Sequence, residues 1–194
     1  MRKVALIDYS SSSVSLLIAK TEGSVMESIL HTRTPLSFAG SVYQDRKLTE
    51  IEIPELLDIT DSFIITCKEN GVSNLYAIAS ANLASVKGID DILALVTEKT
   101  GLGIYKLDMA TEAEARIFAN ERYSILPHST LIDFGSITTK IYSFSDYISS
   151  VPLGPLTLGQ DYVSEVIPTR TEAKRMKVAI KEALDEANLP EEGF

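Results

Sequence analysis

Apolar and polar positions along the first part of the chain fall into short, strand-length runs. Residues 3–9 and 13–20 are dominated by Val, Ile and Leu and flank a polar turn, so they read as two strands. A third apolar segment, Ser24–His31, follows the turn Thr21-Glu22-Gly23 and completes a meander. The period then changes. Ile53, Leu56, Leu57, Ile59, Phe63, Ile64 and Cys67 recur at helical spacing within residues 49–69. Pro54 fits only a first helical turn, so this helix starts either at Thr49 or close to Pro54, and Asn70-Gly71 ends it. A buried-looking strand, Asn74–Ser80, precedes a helix from Asp90 or Asp91 to Thr100, which Gly101 closes. A short strand, Ile104–Leu107, leads into the helix Thr111–Leu126, terminated by Pro127.

The pattern then begins again. Thr130–Phe134 reads as a strand, Gly135-Ser136 as a turn, Thr138–Phe144 and Tyr147–Pro152 as two more strands, and about Thr171 to Asn188 as a helix. The order βββαβαβα followed by βββα predicts an α/β fold, with mixed sheets and helices on their faces. It places a first domain at residues 1–126 and a partial second at 127–194. Both units open with strand, acid, turn and strand: Ile7-Asp8-Tyr9-Ser10 in one, Ile132-Asp133-Phe134-Gly135 in the other.

Charge removes several function classes. The 194-residue chain carries a formal net charge of −9, and its nearest approach to a basic run is Lys174-Arg175-Met176-Lys177, in a Glu-rich helix. A nucleic-acid partner is therefore not expected. No apolar stretch reaches the roughly 18–20 residues of a membrane span. The basic start Met1-Arg2-Lys3 leads into an apolar run broken at Asp8, so a secretory signal is not expected. Cys67 is the only cysteine, so no disulfide framework exists and a cytoplasmic setting is expected. His31 and His128 lie far apart without acids or Cys at ligand spacing, which argues against a histidine-held metal.

Two facing hairpins that each carry an aspartate suit phosphate handling. Turn N–H groups and Ser/Thr hydroxyls cradle phosphate oxygens, while the aspartates hold Mg²⁺ directly or through water. Two ordinary polar β-turns would use the same residue types. The recurrence at the head of both units favours phosphate.

The motifs in order resemble the Ppx/GppA family of exopolyphosphatases and guanosine pentaphosphate phosphatases. Residues 7–13, IDYSSSS, lie where that family has I-D-(I/L)-G-S-N-S. LTEIEIPELLDI (48–59) is similar to its first helix, and AIASANLASVKG (77–88) to A-V-A-T-S-A-x-R-(E/D)-A-x-N. GLGIYKLDMATEAEARIFA (101–119) is similar to the segment containing S-G-x-E-E-A-R, and LIDFGSITTKIYSF (131–144) to D-I-G-G-G-S-T. SSVPLGPLTLGQDY (149–162) resembles S-x-P-L-G-x-x-R-L-x-E-x-F. The resemblance implies a ribonuclease H-like fold of the actin/Hsp70/sugar-kinase superfamily. It implies Mg²⁺-assisted hydrolysis of the terminal phosphate of polyphosphate or a guanosine phosphate. It assigns phosphate contacts to Ser10, Ser11, Ser12, Ser13, Gly135, Ser136, Thr138 and Thr139, metal to Asp8 and Asp133, and catalysis to Glu114 or Glu112.

The departures from that pattern are consistent with one another. The first loop's glycine and asparagine are Ser10 and Ser12; the second loop's later glycines are Ser136 and Ile137. The family's phosphate-binding arginines fall on Ala84 and Thr157, and the first glutamate of E-E falls on Ala113. Each charge-assisted contact removed costs about 1.5–3 kcal/mol of phosphate binding. Glu114 also has a plainer reading, as the third residue of a capping box begun by Thr111. Arg116 beside it is expected in a salt bridge or along the helix surface. The chain ends at Glu192-Gly193-Phe194, before the family's V-G-x-G-G-T strand; the resemblance implies either a piece of a longer chain or a natural short form, with one wall of the cleft missing unless a second chain supplies it. A homodimer would also relieve the unpaired sheet edge. The expectation is a phosphohydrolase-lineage protein with weakened or lost catalysis, or a non-catalytic binding module on the same fold.

Overall fold

Strict alternation along β1 (Arg2–Tyr9) sends Ala5, Ile7 and Tyr9 to one face, and β2 (Ser13–Glu22) sends Val14, Leu16 and Ile18 to the same face. The computed structural model describes residues 2–23, 25–36, 53–119, 130–143 and 148–187. They divide into two compact units, Met1–Asp108 and Met109–Phe194.

In the first unit β1 and β2 are antiparallel, and β3 (Val25–Pro35) pairs with β2 along its length, with a bulge at Ile18/Ala19. The third strand therefore runs to Pro35 rather than His31. Helix α1 (Ile53–Glu69) carries Pro54 in its first turn; the alternative start at Thr49 lies outside the described residues. Strand β4 (Asn74–Ala79) lies parallel to β1, and β5 (Tyr105–Lys106) parallel to β4. The five-stranded sheet has the order β3-β2-β1-β4-β5. Between β4 and β5 come a short helix α2 (Ala81–Ala84), which the sequence pattern did not predict, and α3 (Ile89–Thr100).

The core sits between one sheet face and the two long helices. Leu56, Thr60, Phe63 and Cys67 of α1, and Ile89, Ile92, Leu93 and Val96 of α3, recur at three- and four-residue spacing and are buried. Tyr9 meets this layer with its hydroxyl 2.7 Å from Thr60 Oγ1, and burial pushes its phenol up to about 12. Gly101, at φ +72°, donates its N–H to Thr97 O and ends α3 in a left-handed conformation that glycine adopts without strain.

The second unit contains α4 (Met109–Ala119), the antiparallel sheet β6 (Thr130–Phe134), β7 (Thr139–Ser143) and β8 (Ile148–Val151), then α5 (Pro155–Tyr162) and α6 (Arg170–Glu186). The sequence pattern puts the first helix of this unit inside residues 1–126; spatially α4 groups with the three strands β6–β8. The expected helix end at Leu126–Pro127, strand residues Phe144 and Tyr147, and Asn188 lie outside the described residues. Helix α5 was not expected from sequence. Among the described residues, no helix is long and apolar enough to cross a membrane.

Candidate phosphate loops and charge network

The two hairpins match at the level of single hydrogen bonds. Tyr9 pairs with Val14 and Phe134 with Thr139, so residues 10–13 and 135–138 span equivalent positions. Ser10 N–H donates to Ser13 O at 2.9 Å, and Gly135 N–H donates to Thr138 O at 3.0 Å. The third loop carbonyl is met alike in both: Leu36 N–H reaches Ser12 O, and Gly154 N–H reaches Ile137 O, each at 2.9 Å. Asp8 and Asp133 occupy the same place, opposite Ser15 and Lys140 respectively.

Serine in place of glycine closes the first loop on itself. With its single hydroxyl proton on Ser13 O (2.9 Å), Ser10 Oγ accepts from the Ser13 hydroxyl (3.0 Å) and from Ser13 N–H (3.2 Å). Ser11 and Ser13 are buried, while Ser10 and Ser12 are half-buried. A cation outside the family motifs is also present. Arg33 pairs with Ser15 in the β2–β3 register, and its Nε donates to Ser13 Oγ at 2.7 Å, with Nη2 3.5 Å from Ser12 Oγ. The meander's register was the signal that would have found it, because directly paired residues share a face.

The second loop is tied down from behind. Thr157, at the position of the family arginine, is 1% exposed, and its hydroxyl donates at 2.6 Å to Ile137 O and accepts from Gly154 N–H at 2.9 Å. Leu156 N–H donates to Ser136 O at 2.9 Å. The Leu156 N–H in the first turn of α5 and the Gly154 N–H at its N-cap are thus spent on the loop's own carbonyls. Gly154 is required by this approach, since a Cβ there would overlap the Ser136 carbonyl and the Ile137 backbone. Thr139 is buried and donates to Leu153 O at 3.0 Å, so its hydroxyl belongs to the same brace. Thr138 and Ser136 remain at the turn itself.

Helix α4 brings the acids into contact with β6 and β7. Glu112 is buried and accepts a salt bridge at 2.7 Å from Lys140, which is also buried. Arg116 bridges Glu112 Oε1 and Asp133 Oδ2, at 3.5 Å to each. Burial first, then the charges of Glu112 and Asp133, hold the nearby Tyr142 phenol well above the usual tyrosine range, against a lowering by Arg116. Glu114 is on the exposed side of α4. Because α4 begins at Met109, Thr111 is inside the helix and the expected Thr111–Glu114 capping box does not start it. The expected salt bridge of Arg116 is present, and it engages two acids.

The metal expectation meets this geometry directly. Mg²⁺ asks for one or two carboxylates with open oxygens. Asp133 already faces the Arg116 guanidinium, and Glu112 is committed to Lys140. Among the described residues, no three His, Cys, Asp or Glu side chains cluster at ion-binding distance. Within the second unit, Asp133 and Glu112 thus each face a cationic side chain.

The fold and the sequence agree in what they resemble. The Aquifex aeolicus Ppx/GppA family member has a TM-score of 0.74 to this chain at 24% identity, covering 97% of this chain and 63% of that one. An exopolyphosphatase from Cytophaga hutchinsonii has a TM-score of 0.80 at 16% identity, over 94% and 61% of the two chains. An exopolyphosphatase-like protein gives 0.79 at 16%, over 96% and 61%. The chain thus spans less than two thirds of the length of these relatives. No curated protein sequence matches it significantly. At these identities the structures establish an actin-like α/β fold, and the sequence model of the Ppx/GppA phosphatase family matches residues 17–191. By that match over most of its length, the chain belongs to the Ppx/GppA phosphatase family.

Proposed function

We propose that this chain is an exopolyphosphatase-related, cytoplasmic member of its family in which Mg²⁺-assisted hydrolysis of a terminal phosphate is weakened or lost. The observation that carries the reading is the charge network of α4, β6 and β7. A general base must reach its water, and a metal ligand needs open oxygens. Glu112 is instead buried against Lys140, and Asp133 is neutralised by Arg116. Ala113 has no carboxylate, and Ala84 and Thr157 have no charge to offer a phosphate. The inward-turned Thr157 hydroxyl favours the related reading of a non-catalytic module that keeps the scaffold for binding.

Phosphate release from polyphosphate and guanosine pentaphosphate, with Mg²⁺, tests this directly. The wild-type chain is expected to turn over slowly or not at all, and an Ala84→Arg, Ala113→Glu double variant to gain release. Robust wild-type turnover that Asp133→Asn abolishes would sink the reading.

A further inference from the structure

We infer that the first loop, rather than the second, is this chain's phosphoanion contact, and that Arg33 on β3 is the cation that makes it. The inference rests on the phosphate-lineage reading above and adds a residue that lies outside the family motifs of this chain.

Three observations converge on Arg33. Its guanidinium is oriented, not merely nearby: Nε is fixed on Ser13 Oγ at 2.7 Å, which leaves the terminal nitrogens at the rim of the turn beside Ser12. It has no carboxylate partner among the described residues, whereas Arg116 and Lys140 of the second unit are both paired with acids. It is also exposed, on a strand at the edge of the described sheet.

The second loop offers the contrast. Its repeat-equivalent turn makes the same backbone bond, but the Ser136 carbonyl takes the Leu156 N–H of α5, and the Ile137 carbonyl takes the Thr157 hydroxyl as well as the Gly154 N–H. Arg116 beside it is shared between two acids. On a chain of net charge −9, a polyanion needs a local cation to approach at all. Asp8, on the same sheet face as Ser15 and Arg33, opposes the anion, which makes the guanidinium more necessary. A planar fork with two outward nitrogens takes two phosphate oxygens at once, and it reads phosphate without reading a base.

The test is calorimetric titration of the full chain with tripolyphosphate and, separately, with GTP. Arg33→Gln is expected to weaken both by about tenfold or more, as loss of one charge-assisted contact implies. Arg33→Lys should recover only part, since an ammonium keeps charge but not the fork. Ser13→Ala, which removes the seat of Nε, should lie between wild type and Arg33→Gln. Unchanged thermal unfolding of the two Arg33 variants is expected for an exposed edge-strand position and separates binding from folding, whereas Ser13 is buried and its variant is read with its own unfolding curve. Wild-type and Arg33→Gln chains that bind equally well would overturn the role of Arg33 and leave the phosphate reading standing. Failure of the wild type to bind either probe would overturn both.

Discussion

Removing the Glu112 carboxylate would leave the Lys140 ammonium in a place that water does not reach. Both side chains are about 5% exposed and 2.7 Å apart, so neither charge can be rehydrated when its partner is lost. Glu112→Gln is expected to lower the unfolding free energy by about 3–5 kcal/mol. The double variant Glu112→Leu, Lys140→Met should cost far less than the two single changes added together. Urea midpoints for the three variants give the coupling energy directly. The sequence concealed this pair. A lysine inside a strand, two residues before a tyrosine, reads as solvent-facing, and only the position of α4 over β7 turns it inward. Arg33 was concealed for a related reason: its partner Ser13 is twenty residues away, and strand register rather than local spacing joins them.

Among the elements, α5 shows most clearly what a sequence pattern can and cannot say. Gly154, Pro155 and Gly159 read as loop chemistry, and no apolar stripe announces a helix. What holds this one is specific. Pro155 supplies the preset first turn, and the Thr157 hydroxyl accepts the Gly154 N–H. The glycine fits against the Ser136 and Ile137 backbone where no other residue would. Gly154→Ala is therefore expected to push α5 off the second loop and destabilise the chain by about 1–3 kcal/mol. Thermal unfolding would measure that loss, and new amide shifts in residues 135–138 would locate it. By contrast, β1, β2, α1 and α3 were legible because each buries one continuous face, and alternation or helical spacing survives in the residues themselves. Asp8 and Asp133 were legible as equivalent positions. That Asp133 is met by Arg116 was not, because it needs α4 laid against β6.

For the molecule as a whole, acid is the informative stress. Glu172 receives N–H and hydroxyl donors from Thr169 and Ser164 at 2.7–3.0 Å, and these bonds, the Thr169 backbone first, pull its carboxyl down to about 2 from the ordinary 4.5. A depressed acid stabilises the folded form fully above its unfolded value and loses that contribution as pH falls through the folded one. The stability difference between wild type and Glu172→Gln should thus be constant near neutrality. It should shrink between about 4.5 and about 2, as read from urea unfolding at stepped pH. The change acts through one capping box, yet it is felt globally, since that box starts α6 and ties it to Ser164.

The edge position of β3 has one more consequence. Among the described residues the strand pairs only with β2 in the five-stranded order, and most of its residues are exposed, Val25 and Met26 to about two thirds. Edge strands open locally at a lower free energy than the sheet around them. Arg33 is therefore mounted on the part of the sheet that frays first, and each opening takes the guanidinium away from Ser13. The intrinsic dissociation constant for an anion is divided by the fraction of time the strand is closed, so fraying weakens the observed binding. The anion, in turn, acts as a clasp: whatever it gains by holding Arg33 in place is returned to β3 as slower opening.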